Sequence, residues 1–191
     1  MKISLARIPE EVKLPIVSLS SSETQRAVSQ LCPACGMCCN GVLFGDVELQ
    51  PGDDGKRLAA RGLELFRKGR KRCFSQPCAC FDGKWCRIYD DRPQRCATFE
   101  CRLLQRVQSG KTDAAAALKV IAQARRRVET LRRLVRELGH TDERVPLNLR
   151  YSTIMAQPIE LAGDQTVVQR RSELMQTVDE LARILERDFL A

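Results

Sequence analysis

The sequence predicts a mainly α protein in which a small cysteine-rich module with irregular loops precedes a C-terminal antiparallel helical hairpin. Two observations support this fold class. All ten cysteines of the 191-residue chain lie between residues 32 and 101. From residue 112 onward, apolar residues recur three and four positions apart, which places them on one face of a helix.

These observations divide the chain into three segments. Residues 1–30 are predicted to form an N-terminal arm that ends in a short helix, because Ser22-Glu23-Thr24-Gln25 has the spacing of a capping box. Residues 31–108 form the cysteine-cluster domain, and residues 109–191 form a helical extension.

The cysteines begin with Cys32-Pro33-Ala34-Cys35-Gly36-Met37-Cys38-Cys39, which holds four sulfurs in eight residues. The N-terminus has no signal-peptide pattern, so we expect a cytoplasmic, reducing location in which disulfides are disfavoured. Metal ligation and burial as small apolar side chains are the remaining roles for these thiols. Their density favours metal ligation.

Spacing bears on which metal is bound. Cys32 and Cys35 have the C-x2-C spacing of a zinc knuckle. Cys32, Cys35 and Cys38 together have the C-x2-C-x2-C spacing that holds three corners of an iron-sulfur cluster. An iron-sulfur cluster is therefore favoured slightly, and zinc remains open. Because the module is short of large apolar residues, we expect it to be organised by its metal.

The last two cysteines are predicted to face different directions. Asp91 can cap a helix that begins at Pro93 and includes both Cys96 and Cys101. Five residues of intact helix rotate two side chains by about 140° relative to each other. Either the helix breaks near Thr98, or the two sulfurs serve different centres.

The opening cysteine run and the motif Cys86-Arg87-Ile88-Tyr89-Asp90-Asp91-Arg92-Pro93-Gln94-Arg95-Cys96 resemble the YkgJ-like cysteine-cluster family, which is described as zinc- or iron-chelating. One branch resembling it carries flagellin lysine N-methylase activity together with an iron-sulfur centre. The resemblance covers about residues 31–101 and implies eight metal ligands, which are Cys32, Cys35, Cys38, Cys39, Cys80, Cys86, Cys96 and Cys101.

Two features depart from that pattern. Ala97 stands where the family has an arginine. Cys73 and Cys78 are additional to the eight cysteines, so each either replaces a motif cysteine as ligand or remains a buried free thiol.

Three functions are compatible with these residues. The leading hypothesis is a metal-binding protein that acts as a binding or redox module. The first alternative is a metal-dependent protein-modifying enzyme such as a protein lysine N-methylase, which would need an open coordination position. The second is a zinc-stabilised nucleic-acid-binding protein. The lone histidine, His140, follows the helix-ending Gly139 and is expected to be a loop or capping residue.

The net charge of +8 is a weak argument for nucleic acid. A divalent ion held by four thiolates carries a formal charge of −2, so two such centres would lower the net charge to about +4. The basic stretch over residues 56–72 has Phe66 as its single aromatic residue, so it lacks aromatic interleaving of the sort that stacks bases. A nucleic-acid partner is therefore disfavoured.

Helices are predicted on both sides of residue 109. Lys56 to Lys68 has an amphipathic pattern with Leu58, Leu65 and Phe66 inward, and residues 41–44 are the best candidate for a strand. In the extension, Thr112 is the candidate cap of a helix that ends at Gly139. Its apolar stripe consists of Ala117, Ile121, Ala124, Val128, Leu131, Val135 and Leu138.

A second stripe, formed by Leu174, Val178, Leu181 and Leu185, lies in a helix over residues 164–188, and a short helix is predicted near residues 149–156. The two stripes can cover each other within one chain or form the seam of a homodimer. An unknown protein partner at these helices is also expected. No apolar run is long enough to span a membrane.

Overall fold

The computed structural model describes residues 30–158 and 164–190. Most of this chain is helical, which confirms the mainly α prediction. Residues 30–35 are helical and are called α1. The other helices are α2 (Gly55–Ala60), α3 (Gln94–Thr98), α4 (Arg102–Gln108), α5 (Ala114–Glu137), α6 (Leu147–Ala156) and α7 (Gln165–Asp188). The capping box predicted at Ser22 lies outside the described residues.

Helices α5 and α7 form the predicted hairpin. Arg127 pairs with Glu180 at 2.8 Å, and Arg133 pairs with Glu173 at 2.9 Å, so residue numbers run in opposite directions along the two helices. The stripe of α5 is buried from Ala117 to Val135. The two stripes therefore cover each other within one chain. Asp113, and not Thr112, caps α5, because its carboxylate accepts the Ala116 N–H at 2.7 Å.

The short helix α6 packs on both members of the hairpin and is fixed by a buried arginine. The guanidinium of Arg171 in α7 donates to the carbonyl of Ile154 at 2.9 Å and to that of Pro158 at 2.8 Å. These bonds satisfy carbonyls that the end of a helix leaves without partners. His140 lies in the loop after α5, as predicted, and its N–H donates to the Val135 carbonyl.

The helix predicted from Lys56 to Lys68 is wrong beyond its first turns. Helix α2 ends at Ala60, and Gly62 has a φ of +99°. The Leu63 N–H then donates to the Leu58 carbonyl at 3.2 Å, which is the closing bond of a Schellman motif. Leu65–Lys68 is strand β2, and Phe66 is 40% exposed rather than inward.

A three-stranded antiparallel sheet forms in the cysteine-rich module, although its sequence signal is weak. Its strands are β1 (Asp46–Glu48), β2 and β3 (Lys71–Ser75), with β3 in the centre. Val47 pairs with Phe74, and Leu65 pairs with Phe74 from the other side. The strand candidate at residues 41–44 is wrong, since that segment forms turns and bends that precede β1.

Two hydrophobic cores hold these elements. The larger core joins the helical hairpin to residues of the cysteine-rich module, among them Leu31, Met37 and Leu103. The smaller core lies within the module and consists of Val47, Leu58, Leu63, Phe74, Cys80 and Ile88. Among the helices of the described ranges, none combines the length and apolar character needed to cross a membrane.

Candidate metal centre

The helix breaks between Cys96 and Cys101, near Thr98, which is one of the two alternatives predicted for this segment. Helix α3 ends at Thr98, and Phe99 is extended with φ −72° and ψ 124°. Helix α4 begins at Arg102, directly after Cys101. The two cysteines therefore belong to different helical segments and face different surroundings.

The predicted cap of this segment is wrong. Pro93 occupies the N-cap position of α3, and the Gln94 N–H donates to the distant Asp53 carboxylate at 2.8 Å. The Asp91 carboxylate instead pairs with Arg61 at 2.9 Å and with Arg57 at 3.5 Å. Asp91 thus fastens α2 to the motif that carries Cys86 and Cys96.

The opening cysteine run is folded by a tight turn at Gly36. Gly36 has a φ of +68°, and its carbonyl accepts the N–H groups of Cys39 and Asn40 at 2.9 and 3.0 Å. A Cβ atom at this position would lie 2.6 Å from Cζ of Phe81. Only glycine fits both the dihedral angle and the space, and the turn brings Cys38 back toward Cys32 and Cys35.

Four thiols form a first set, which consists of Cys32, Cys35, Cys38 and Cys101. Besides burial, the charge of a neighbouring thiol raises the pKa of its partner in every pair of this set. Cys32 and Cys35 lie in α1, Cys38 lies in the turn after it, and Cys101 directly precedes α4. The backbone N–H groups of Leu103 and Leu104 face Cys101 without closing a full capping hydrogen bond, and they oppose the rise in its pKa.

Another four thiols form a second set, which consists of Cys39, Cys78, Cys86 and Cys96. Here too, after burial, every pair is close enough for one thiol to raise the pKa of another. The Cys78 N–H donates to the Cys39 carbonyl at 2.8 Å, which ties the strand-β3 side of the module to the opening turn. The two sets adjoin each other, because the charge of Cys39 also raises the pKa of Cys38 and the charge of Cys35 also raises the pKa of Cys39. We assign the adjacent residues Cys38 and Cys39 to different sets by their other partners.

The two remaining cysteines have other surroundings. Cys73 lies on β3, where its charged neighbours are Asp46, Glu48, Lys68 and Lys71. The Cys80 thiol is buried in the smaller core and donates to the Arg61 carbonyl at 3.3 Å. Cys80 also lies near Cys78 and Cys86 of the second set. The structure thus places Cys78 within a complete set of four thiols and Cys80 beside it.

The eight thiols of the two sets line one cavity of about 470 Å³. Residues of both hydrophobic cores form its other walls, among them Met37, Leu103 and Phe74. Gln76 also lines this cavity, and its Oε1 is buried without a hydrogen-bond partner. An acceptor in this position is satisfied by a cation or a donor that enters the cavity.

Burial favours the protonated form of four of these thiols, those of Cys35, Cys39, Cys78 and Cys96. Burial raises the pKa of Cys35, Cys39 and Cys96 to about 12 and that of Cys78 to about 11. Metal ligation requires thiolates, so a metal ion must displace these protons. In residues 30–158 and 164–190, no group of three or more His, Cys, Asp or Glu side chains is arranged so that it could hold a metal ion as it stands. Four neighbouring thiols nevertheless match the donor set of zinc and of iron-sulfur clusters.

Sequence reasoning identified seven of these eight thiols as motif ligands and gave Cys78 only as a surplus cysteine. A contact with Arg61 distinguishes Cys80 from Cys78. The Cys80 thiol donates to the carbonyl of Arg61, which lies nineteen residues earlier at the end of α2. Gln76 was missed, because a single glutamine carries no recognisable spacing.

A comparison with known proteins is informative for this same part of the chain. Residues 31–120 match a family model described as "CxxCxxCC: Putative zinc- or iron-chelating domain". No curated protein and no solved structure gives a significant match. The cysteine-rich part of the chain, residues 31–120, is therefore similar to this family of zinc- or iron-chelating domains.

Proposed function

We propose that the protein holds two all-cysteine metal centres and acts as a redox or metal-binding module. The first centre uses Cys32, Cys35, Cys38 and Cys101, and the second uses Cys39, Cys78, Cys86 and Cys96. The observation that carries this proposal is the grouping of eight thiols into two neighbouring sets of four around one cavity.

The first set is best suited to an iron-sulfur cluster. Three of its ligands have C-x2-C-x2-C spacing, and the fourth comes from a distant part of the chain. The second set is drawn from four separate places between residues 39 and 96, so its spacing favours neither zinc nor iron. A bound cluster would supply one-electron chemistry, and a bound zinc ion would supply folding energy alone.

The protein contributes the sulfur ligands and the apolar side chains that form the other walls of the cavity. Four thiols per set are enough to fill the coordination shell of zinc or the corners of a cluster, which leaves no position open for a substrate. Complete sulfur ligation favours redox or structural work over the methylase-like alternative. The Met37 N–H opposes the rise in the pKa of Cys35 and would stabilise the thiolate once it forms.

Acidic side chains also interrupt the basic surface that the nucleic-acid hypothesis requires. Lys68 pairs with Asp46 at 2.6 Å, and Lys71 pairs with Glu48 at 2.7 Å. Ion pairs of this kind reduce the positive charge available to phosphates. They support the metal module as the principal function.

Substituting the adjacent residues Cys38 and Cys39 one at a time tests this proposal, because they are assigned to different centres. Protein purified without oxygen would be analysed for iron, zinc and sulfide and by visible absorption, in the wild type and in Cys38→Ser and Cys39→Ser. We expect each variant to lose one centre and keep the other. If the first centre is an iron-sulfur cluster, Cys38→Ser would also lose the visible absorption assigned to it.

Cys73→Ser is the matched control, because it removes a buried thiol that lies outside both sets. It should retain the wild-type metal content. Loss of all metal in both Cys38→Ser and Cys39→Ser would contradict two separate centres. Retention of two centres in Cys78→Ser, with loss in Cys80→Ser, would show that Cys80 is the ligand.

A further inference from the structure

We propose that Arg92 is a charge-compensating residue shared by both thiol sets, and that its guanidinium supports metal binding at each of them. This inference rests on the two-centre function proposed above. Arg92 is not a metal ligand in this proposal. Its positive charge acts on the metal centres from the cavity wall.

Two contacts with Tyr89 hold the Arg92 side chain in place. Its Nε donates to the Tyr89 carbonyl at 2.7 Å, and its guanidinium carbon lies 3.6 Å from the centre of the Tyr89 ring. Stacking over an aromatic face is a favourable placement for a planar cation. The Tyr89 N–H in turn donates to the Cys86 carbonyl at 3.1 Å, which connects this arrangement to the second set.

Arg92 lies in the wall of the common cavity. Arg92 lines that cavity together with the eight thiols. Its charge opposes the rise in pKa that burial causes at Cys32, a member of the first set, and at Cys96, a member of the second. One half-buried cation thus acts on thiols of two different sets.

Such a cation matters because the loaded sets repel each other. A divalent ion with four thiolates carries a formal charge of −2, and the sets are joined through adjacent residues Cys38 and Cys39. A positive charge in the wall of the cavity that holds both anions favours both. Removing it should weaken each centre and should weaken double loading most.

Arg125 offers an informative comparison. It donates to the Ala34 carbonyl at 2.8 Å, and its charge opposes the rise in the pKa of Cys35, in the first set. We therefore expect Arg125 to support the first centre. Arg95, in helix α3, also lines the cavity, but it is exposed where Arg92 is half-buried, so it provides a control for the loss of one solvent-screened positive charge.

The experiment measures metal affinity at each set separately. Cys39→Ser retains the first set, and Cys38→Ser retains the second. Each metal-free protein would be titrated with Co²⁺ or Zn²⁺ against a competing chelator, with and without Arg92→Gln. Thiolate-to-cobalt absorption reports the occupied set. We expect Arg92→Gln to weaken metal binding roughly tenfold or more in both backgrounds, because the variant removes a unit charge from a partly buried site.

The comparison variants decide the interpretation. Arg125→Gln should weaken only the first set, Arg95→Gln should weaken neither, and Arg92→Lys should restore most of the affinity because it keeps the charge. Equal loss in Arg92→Lys and Arg92→Gln, or an effect on one set only, would overturn the proposal. If the wild type fails to bind two metals, the proposed function is wrong. If it binds two and Arg92→Gln matches it, only the role of Arg92 is wrong.

Discussion

At the scale of single residues, Gly36 decides whether the ligands of the first set can meet. Its left-handed conformation turns the chain between Cys35 and Cys38, and the Phe81 ring fills the space next to it. A side chain at this position would both strain the backbone and displace the ring.

Gly36→Ala is therefore expected to destabilise the metal-loaded protein by more than the backbone penalty alone, which is about 1 kcal/mol or more for a left-handed non-glycine residue. Gly110→Ala is a matched control, because Gly110 has a φ of +70° and open space around it. Thermal unfolding of both variants measures the difference. Equal losses would mean that the Phe81 contact contributes nothing.

The sequence located the candidate site closely but not completely. Dense cysteines at metal-ligand spacing predict Cys32, Cys35 and Cys38 as ligands without a structure, because these residues are neighbours in the chain. The choice between Cys78 and Cys80 depends on contacts with distant residues, such as the Arg61 carbonyl. No local pattern encodes such contacts.

At the scale of elements, the helices of the hairpin follow from local sequence patterns, whereas strand β2 depends on contacts with residues that are distant in the chain. The stripes of α5 and α7 are periodic over more than twenty residues, so their burial could be predicted. Strand β2 is stabilised by pairing with β3 and begins only after Gly62 has ended α2. Its formation depends on a partner strand, and a periodicity argument misreads it as helix.

The hairpin yields a prediction about stability. Leu131 is fully buried between α5 and α7, so Leu131→Ala is expected to cost about 2–5 kcal/mol in the free energy of unfolding. Leu118→Ala, in the same helix at 39% exposure, should cost far less. Chemical denaturation followed by circular dichroism compares them. Similar losses would show that the stripe is not the interface that holds α5.

At the scale of the whole molecule, the two hydrophobic cores are unequal. The larger one has nineteen buried residues, many of them from the helical hairpin, and Cys35 and Cys101 of the first set pack against it. The smaller one has six buried residues under the three-stranded sheet, and the second thiol set lies against it through Cys78, Cys86 and Cys96. A core of this size is marginal without a further cross-link.

Metal removal is therefore expected to expose residues 46–96 while α5 and α7 keep their helical structure. Chelation followed by hydrogen exchange would locate the change, with the amides of α5 as the internal reference. Protection that remains uniform after complete metal loss would contradict this division of stability. Simultaneous loss of protection in both parts would mean that the two cores unfold as one cooperative unit.

The order of the ligands along the chain has a topological consequence. In the proposed assignment, the first centre ties Cys32 to Cys101, and the second ties Cys39 to Cys96, so one cross-link is nested entirely inside the other. Closing the inner loop first shortens the free chain that the outer link must bring together, which lowers the entropy lost at that step. Opening the outer link leaves the inner one intact. The nested arrangement thus favours assembly from the inside outward and release from the outside inward.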